Sequence, residues 1–160
     1  MKTTTHTTIE EITHDDLVNL FSTSLYGSSY LTADYDEYAP EQYEEDSFED
    51  VLAKILLHGG AVQVTDHYAE GCAYGKLAHT IDKYNDECVT YTVTFADVVK
   101  GLTNAANGTF KLSGKKEYQE QDKKAAKVSF ENLAEESLEF DLVRADILMQ
   151  IILFDEIIYG

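Results

Sequence analysis

Along most of the chain, apolar residues recur at the spacing of one helix face, and in two short stretches they alternate instead. Thr13 can cap a first helix, with Asp16 three residues on completing a capping-box pattern. Leu17, Leu20, Phe21 and Leu25 share one face of it, and Gly27 is its natural stop. A second helix is predicted from the cap Ser47, with Asp50 at the third helical position; Phe48, Val51, Leu52, Ile55 and Leu56 form its apolar stripe, and Gly59 and Gly60 end it. Ala61–Asp66 alternates, with Val62 and Val64 against Gln63 and Thr65, and Val89–Thr94 does the same with Val89, Tyr91 and Val93. These predict an antiparallel pair joined by a long irregular connection over 67–88. A third helix follows Thr94, whose partner is Asp97, and buries Phe95, Val98, Val99 and Leu102. Helix resumes with Ser129 as its cap, turns strongly apolar from Ile147 to Ile158, and gives way to a short terminal strand at Ile157-Ile158-Tyr159. A small antiparallel sheet of two to four strands, packed by four to five helices, makes an α+β domain over residues 13–160, behind a flexible lead-in at 1–12.

Two segments break the pattern. Between Ala33 and Asp50 there are nine acids and no base, with Tyr35, Tyr38 and Tyr43 threaded among them and Pro40, the chain's one proline, in the middle. Proline there argues against one continuous helix. Residues 108–128 carry Lys111, Lys115, Lys116, Lys123, Lys124 and Lys127, six of the 12 bases, and few large apolar residues. That composition predicts a mobile, weakly ordered excursion within the domain.

Charge changes the picture most. Thirty acids against 12 bases give a formal net charge of −18. Such a surface repels nucleic acid and anionic membranes and attracts basic surfaces, including those that hold nucleic acid. No run approaches the roughly 18 apolar residues of a membrane helix, and Met1–Thr8 is polar. Two cysteines, Cys72 and Cys88, do not make a disulfide scaffold. The expectation is a soluble, cytoplasmic protein with reduced thiols.

The familiar catalytic and nucleotide motifs are missing: there is no P-loop, G-x-G-x-x-G, G-x-S-x-G or H-E-x-x-H. Arg144 is the one arginine, a poor endowment for phosphoryl transfer. Asp66, His67, Cys72, His79 and Cys88 are residue types that zinc accepts, but their spacing fits no compact zinc signature. Asp34, Asp36 and Asp46 follow no EF-hand spacing. No metal or cofactor is expected, and no catalytic residue.

Two candidate binding sites remain. Asp34, Tyr35, Asp36, Glu37, Tyr38, Tyr43, Glu44, Glu45 and Asp46 combine dense carboxylates, which can stand in for a phosphate track, with tyrosines that supply rigid contact area. The turn Gly27-Ser28-Ser29-Tyr30 offers close backbone approach, hydroxyl donors and a ring that can stack on a base.

Leu25-Tyr26-Gly27-Ser28-Ser29-Tyr30, the Gly59-Gly60 turn running into the strand with Asp66, and the ending Ala145-Asp146-Ile147 with Ile152 to Gly160 resemble a group of small acidic proteins encoded by phages, prophages and mobile elements. The resemblance covers most of 13–104 and 140–160. It departs in lacking a tryptophan after the glycine turn and in its longer acidic and lysine-rich segments. It implies an accessory, counter-defence role. The expectation is therefore a non-enzymatic, stoichiometric inhibitor of a basic nucleic-acid-binding host defence protein, acting as a nucleic-acid mimic and touching neither nucleic acid nor membrane. The alternatives are a sponge for a small nucleotide immune signal, with Gly27, Ser28, Ser29 and Tyr30 lining the pocket at an oligomer interface, and a metal-dependent enzyme using the 66–88 loop.

Overall fold

A computed structural model describes residues 12–35 and 46–160. Among them are helices α1 (His14–Tyr26), α2 (Phe48–Leu57), α3 (Phe95–Asn107), α4 (Lys116–Ala134) and α5 (Leu142–Phe154), and strands β1 (Leu31–Asp34), β2 (Ala61–Asp66), β3 (His79–Asp82) and β4 (Cys88–Thr94). The strands form one antiparallel sheet in the order β1-β2-β4-β3, so the α+β architecture expected from the sequence is present.

Local signals placed the helix starts. The Asp16 amide donates to Thr13 Oγ1 at 3.1 Å while the Thr13 amide donates to Asp16 Oδ2 at 3.0 Å, and Thr94 and Asp97 repeat the reciprocal arrangement. Ser47 caps α2 through the Asp50 amide. Gly108 ends α3 at φ +68°, a left-handed conformation that glycine adopts without strain. Gly27 acts differently, since its φ of −99° suits any residue. A Cβ there would meet only the end of the Leu142 side chain, Cδ2 at 2.8 Å, which can turn aside.

The sheet is larger than two alternating stretches suggest. β2 and β4 pair antiparallel, as expected, and their register sets Val62 opposite Val93 and Val64 opposite Tyr91. The 67–88 connection, expected to be irregular, contains β3, whose four residues are all exposed. A strand that buries nothing leaves no hydrophobic pattern, and only its ladder to β4 holds it. β1, within the start of the acidic run, is also new; Leu31 alone is buried there, opposite Asp66.

The lysine-rich segment is corrected most. Residues 116–134 form α4, a 19-residue helix packed on α3 and α5 rather than a weakly ordered excursion. Lysine, glutamate, glutamine and alanine are strong helix formers, and the apolar anchors Ala126, Phe130 and Leu133 come only in the second half. Ser129 is no cap. It is buried inside α4 with its hydroxyl donating to the Ala125 carbonyl at 2.7 Å, and Asp141 caps the last helix. Phe48, expected in the α2 stripe, is 38% exposed, while Ile12, expected in the flexible lead-in, is buried. Residues 1–11 lie outside the described residues.

Helix α5 is apolar on every side and lies at the centre, against α1, α3 and α4. Ile157–Tyr159 do not make the expected strand; the ending forms one parallel bridge, Glu156 to Lys111, and folds back along α5. α3 and α5 are in tight contact at Gly101, where a Cβ would lie 2.5 Å from Ile152 Cγ1 and 2.7 Å from its Cα. Gly101→Ala should therefore lower stability by about 1–3 kcal/mol through overpacking, outweighing the roughly 1 kcal/mol that alanine gains in a helix interior. Urea denaturation measures the balance.

Candidate functional site: a tyrosine-walled cavity

Four elements meet beside the N-terminal half of α5. The turn after α1 supplies Gly27, Ser28, Ser29 and Tyr30, and the Ser28 hydroxyl fixes that turn by accepting from the amides of Tyr30 and Leu31 at 3.2 and 2.9 Å. Tyr68 comes from the end of β2, and Tyr159 from the returning C-terminal residues. With Leu142, Val143 and Ile147 of α5 they enclose a cavity of about 410 Å³, within the range of small-molecule sites.

The tyrosines are arranged as a ladder. Tyr30, 7% exposed, stacks on Tyr68 at 5.4 Å between centroids and 20° between planes, and Tyr68 keeps 52% of its surface open. Tyr159 meets both edge-on, at 4.9 and 6.4 Å, and continues to Phe154 at 5.9 Å and from there to Tyr91. Such offset and edge-to-face contacts match the ring quadrupoles.

Beneath the rings runs a closed polar network. The Tyr159 hydroxyl donates to Asp66 Oδ2 at 2.8 Å and the Tyr68 amide to Asp66 Oδ1 at 2.9 Å. The Tyr30 hydroxyl donates to Asp146 Oδ1 at 2.5 Å and Gln150 Nε2 to Asp146 Oδ2 at 2.8 Å. Gln150 Oε1 accepts from the amides of Ile158 and Tyr159, and Nε2 also donates to the Tyr159 carbonyl at 2.9 Å. Every donor and acceptor of that buried amide is engaged, as a position 1% exposed requires. Both carboxylates thus hold the wall in place, with each oxygen accepting at least one hydrogen bond from the chain itself.

Burial, then the hydrogen bond to Asp146, holds the Tyr30 phenol far above the ordinary tyrosine value near 10. Burial and the Asp66 bond raise Tyr159 likewise. Both rings remain neutral donors across the usual pH range.

The acidic candidates fare differently. Asp36, Glu37, Tyr38, Tyr43, Glu44 and Glu45 lie outside the described residues. Asp34 is exposed at the end of β1, with Oδ1 accepting from the Tyr35 amide. Tyr35 packs on the core and tilts against Phe48 at 5.7 Å, and Asp46 pairs with Lys54 at 2.6 Å. Tyr35 and Asp46 thus have partners within the chain. The zinc-type residues do not converge: among the described residues no three of His, Cys, Asp and Glu gather as a metal would need. His67 lies between Thr32 Oγ1 at 2.8 Å and Cys88 Sγ at 3.3 Å, His79 bonds the Leu77 carbonyl, and Cys72 is exposed. Nor is any helix among the described residues long and apolar enough to cross a membrane.

No protein-family model, curated protein or solved structure matches this chain, so its function has to be read from the site itself. Of that site, the Gly27–Tyr30 turn is legible in the sequence, whereas the parts played by Tyr68, Asp146 and Tyr159 are not. One signal was available for Gln150, the lone polar residue in the run from Ile147 to Phe154. A buried amide in such a run is retained only where it is fully bonded.

The raised phenols give a pH dependence with a definite sign. A group whose folded value lies above its unfolded one supports folding fully below the unfolded value, and that support is lost as pH rises toward the folded value. Stability should therefore fall from about pH 10 upward, and Tyr30→Phe combined with Tyr159→Phe should flatten that fall. Urea midpoints measured between pH 8 and 11 provide the check.

Proposed function

We propose that this chain is a non-catalytic binding protein, an accessory protein of a phage or mobile element, which sequesters a small ligand by holding its planar ring in the tyrosine-walled cavity. The observation that carries this reading is the half-exposed Tyr68 stacked on a buried Tyr30 at the wall of a largely apolar cavity. A ring entering there stacks on a platform that is already rigid, so little ordering opposes it. The engaged state of Asp66, Asp146 and Gln150 favours capture over conversion. Calorimetry with adenosine, guanosine, cytidine and uridine tests the reading. At least one nucleoside should bind, and Tyr68→Ala should weaken it by about 5- to 100-fold, the worth of one base–aromatic stack. Absence of heat with all four, or equal affinity for the variant, overturns it.

The net charge of −18 favours a second reading, in which the acidic tyrosine-bearing run occupies the basic groove of a host defence protein as a nucleic-acid mimic. Asp34 is the described residue of that run most open to a partner. Neutralising Asp34, Asp36, Glu44 and Glu45 together should abolish capture of a basic partner from host lysate, and high salt should do the same to the unmodified protein. Capture that survives both treatments removes the mimic.

A further inference from the structure

The tyrosine-walled cavity does not end at α5. Ala125, Val143 and Ile147 line it and also line a second cavity of about 470 Å³ between α4 and α5. The two spaces adjoin across those three side chains, and Val143, 66% exposed, is no barrier fixed by packing.

Their chemistry is opposite. The first holds the rings, with Asp122 and Asp146 and no base. The second holds no ring, but it holds Lys124 and Arg144, with Asp141 as its one acid. The two cations bracket the shared wall: Lys124 precedes Ala125 on α4, and Arg144 follows Val143 on α5. In a chain of 12 bases and 30 acids, these include the only arginine. Lys124 is exposed and makes no ion pair among the described residues. Arg144 Nη1 donates to the Glu139 carbonyl and lies 3.6 Å from Asp141 Oδ2, so its charge is partly offset. Asp141 is itself occupied as the α5 cap, accepting from the Arg144 amide at 3.0 Å. Val143, in the first turn of α5, brings one side of this wall to the start of that helix, where the helix dipole adds to the pull on an anion.

We infer that the two cavities are one elongated site for an aromatic ring that carries a phosphate, with the ring on Tyr68 and the phosphate at Lys124 and Arg144. The inference rests on the ring-binding reading above and adds the ligand's charge and its direction. The reverse pose would set the phosphate against Asp122 and Asp146 and leave the ring without a stacking partner. A nucleoside 5′-monophosphate is the simplest member of the class. An anion seated between a lysine, an arginine and a helix N-terminus forms charge-assisted hydrogen bonds, which are stronger than neutral ones.

The test compares each nucleoside with its 5′-monophosphate by calorimetry at low salt. For whichever base binds, the monophosphate should bind at least about tenfold more tightly, the increment of one charge-assisted hydrogen bond. Lys124→Gln, at an exposed position where the melting temperature should stay unchanged, should bring the ratio of the two affinities toward one, and adding Arg144→Gln should complete the loss. If the nucleoside binds and responds to Tyr68→Ala while the monophosphate binds no tighter, or the ratio survives Lys124→Gln, the ring-binding reading stands and this inference falls. If neither binds with any base, both fall.

Discussion

Between Ala145 and Phe154 the chain offers little but apolar side chains, and burying them requires neighbours around the whole circumference of α5. Helices α1, α3 and α4 supply three of those neighbours, and the returning C-terminal residues supply another. The stretch carries two polar side chains, Asp146 and Gln150; three of the four bonds of the Gln150 amide hold the last residues to the helix, and the fourth joins it to Asp146. Tyr159 is thereby fixed beside Tyr30 and Tyr68. The cavity wall follows from the way the protein buries its most hydrophobic helix.

This explains why the polar groups of the site are quiet. Asp66 and Asp146 lie where an unpaired carboxylate would be costly, and each has both oxygens occupied, one by a donor close by in the chain and one by a tyrosine hydroxyl from a distant part of it. A network satisfied in this way is stiff, which suits a preformed binding surface better than proton transfer.

Charge is distributed unevenly around the frame. The long run of acids in the sequence lies between β1 and α2, and half the bases lie on or just before α4. Their order along the chain concealed how two cations come to share a cavity with apolar side chains. The sign of the net charge is a property of composition. The sign of the local field at a cavity depends on which helices adjoin.

The starts of α1, α2 and α3, the β2–β4 pair and the apolar character of α5 could be read from the sequence, because capping boxes and hydrophobic periods act within a few residues. β3 left no mark, since it buries nothing, and α4 was obscured because its helix-forming residues are polar. The Gly27–Tyr30 turn was visible as a turn, but its role was not: the Tyr30 hydroxyl finds Asp146 116 positions away, and Tyr159 finds Asp66 across 93. Contacts of that span are decided by how helices and sheet pack. The sequence by itself therefore determined where the elements begin and what they must bury, and only the tertiary structure decided which tyrosines, carboxylates and cations stand together.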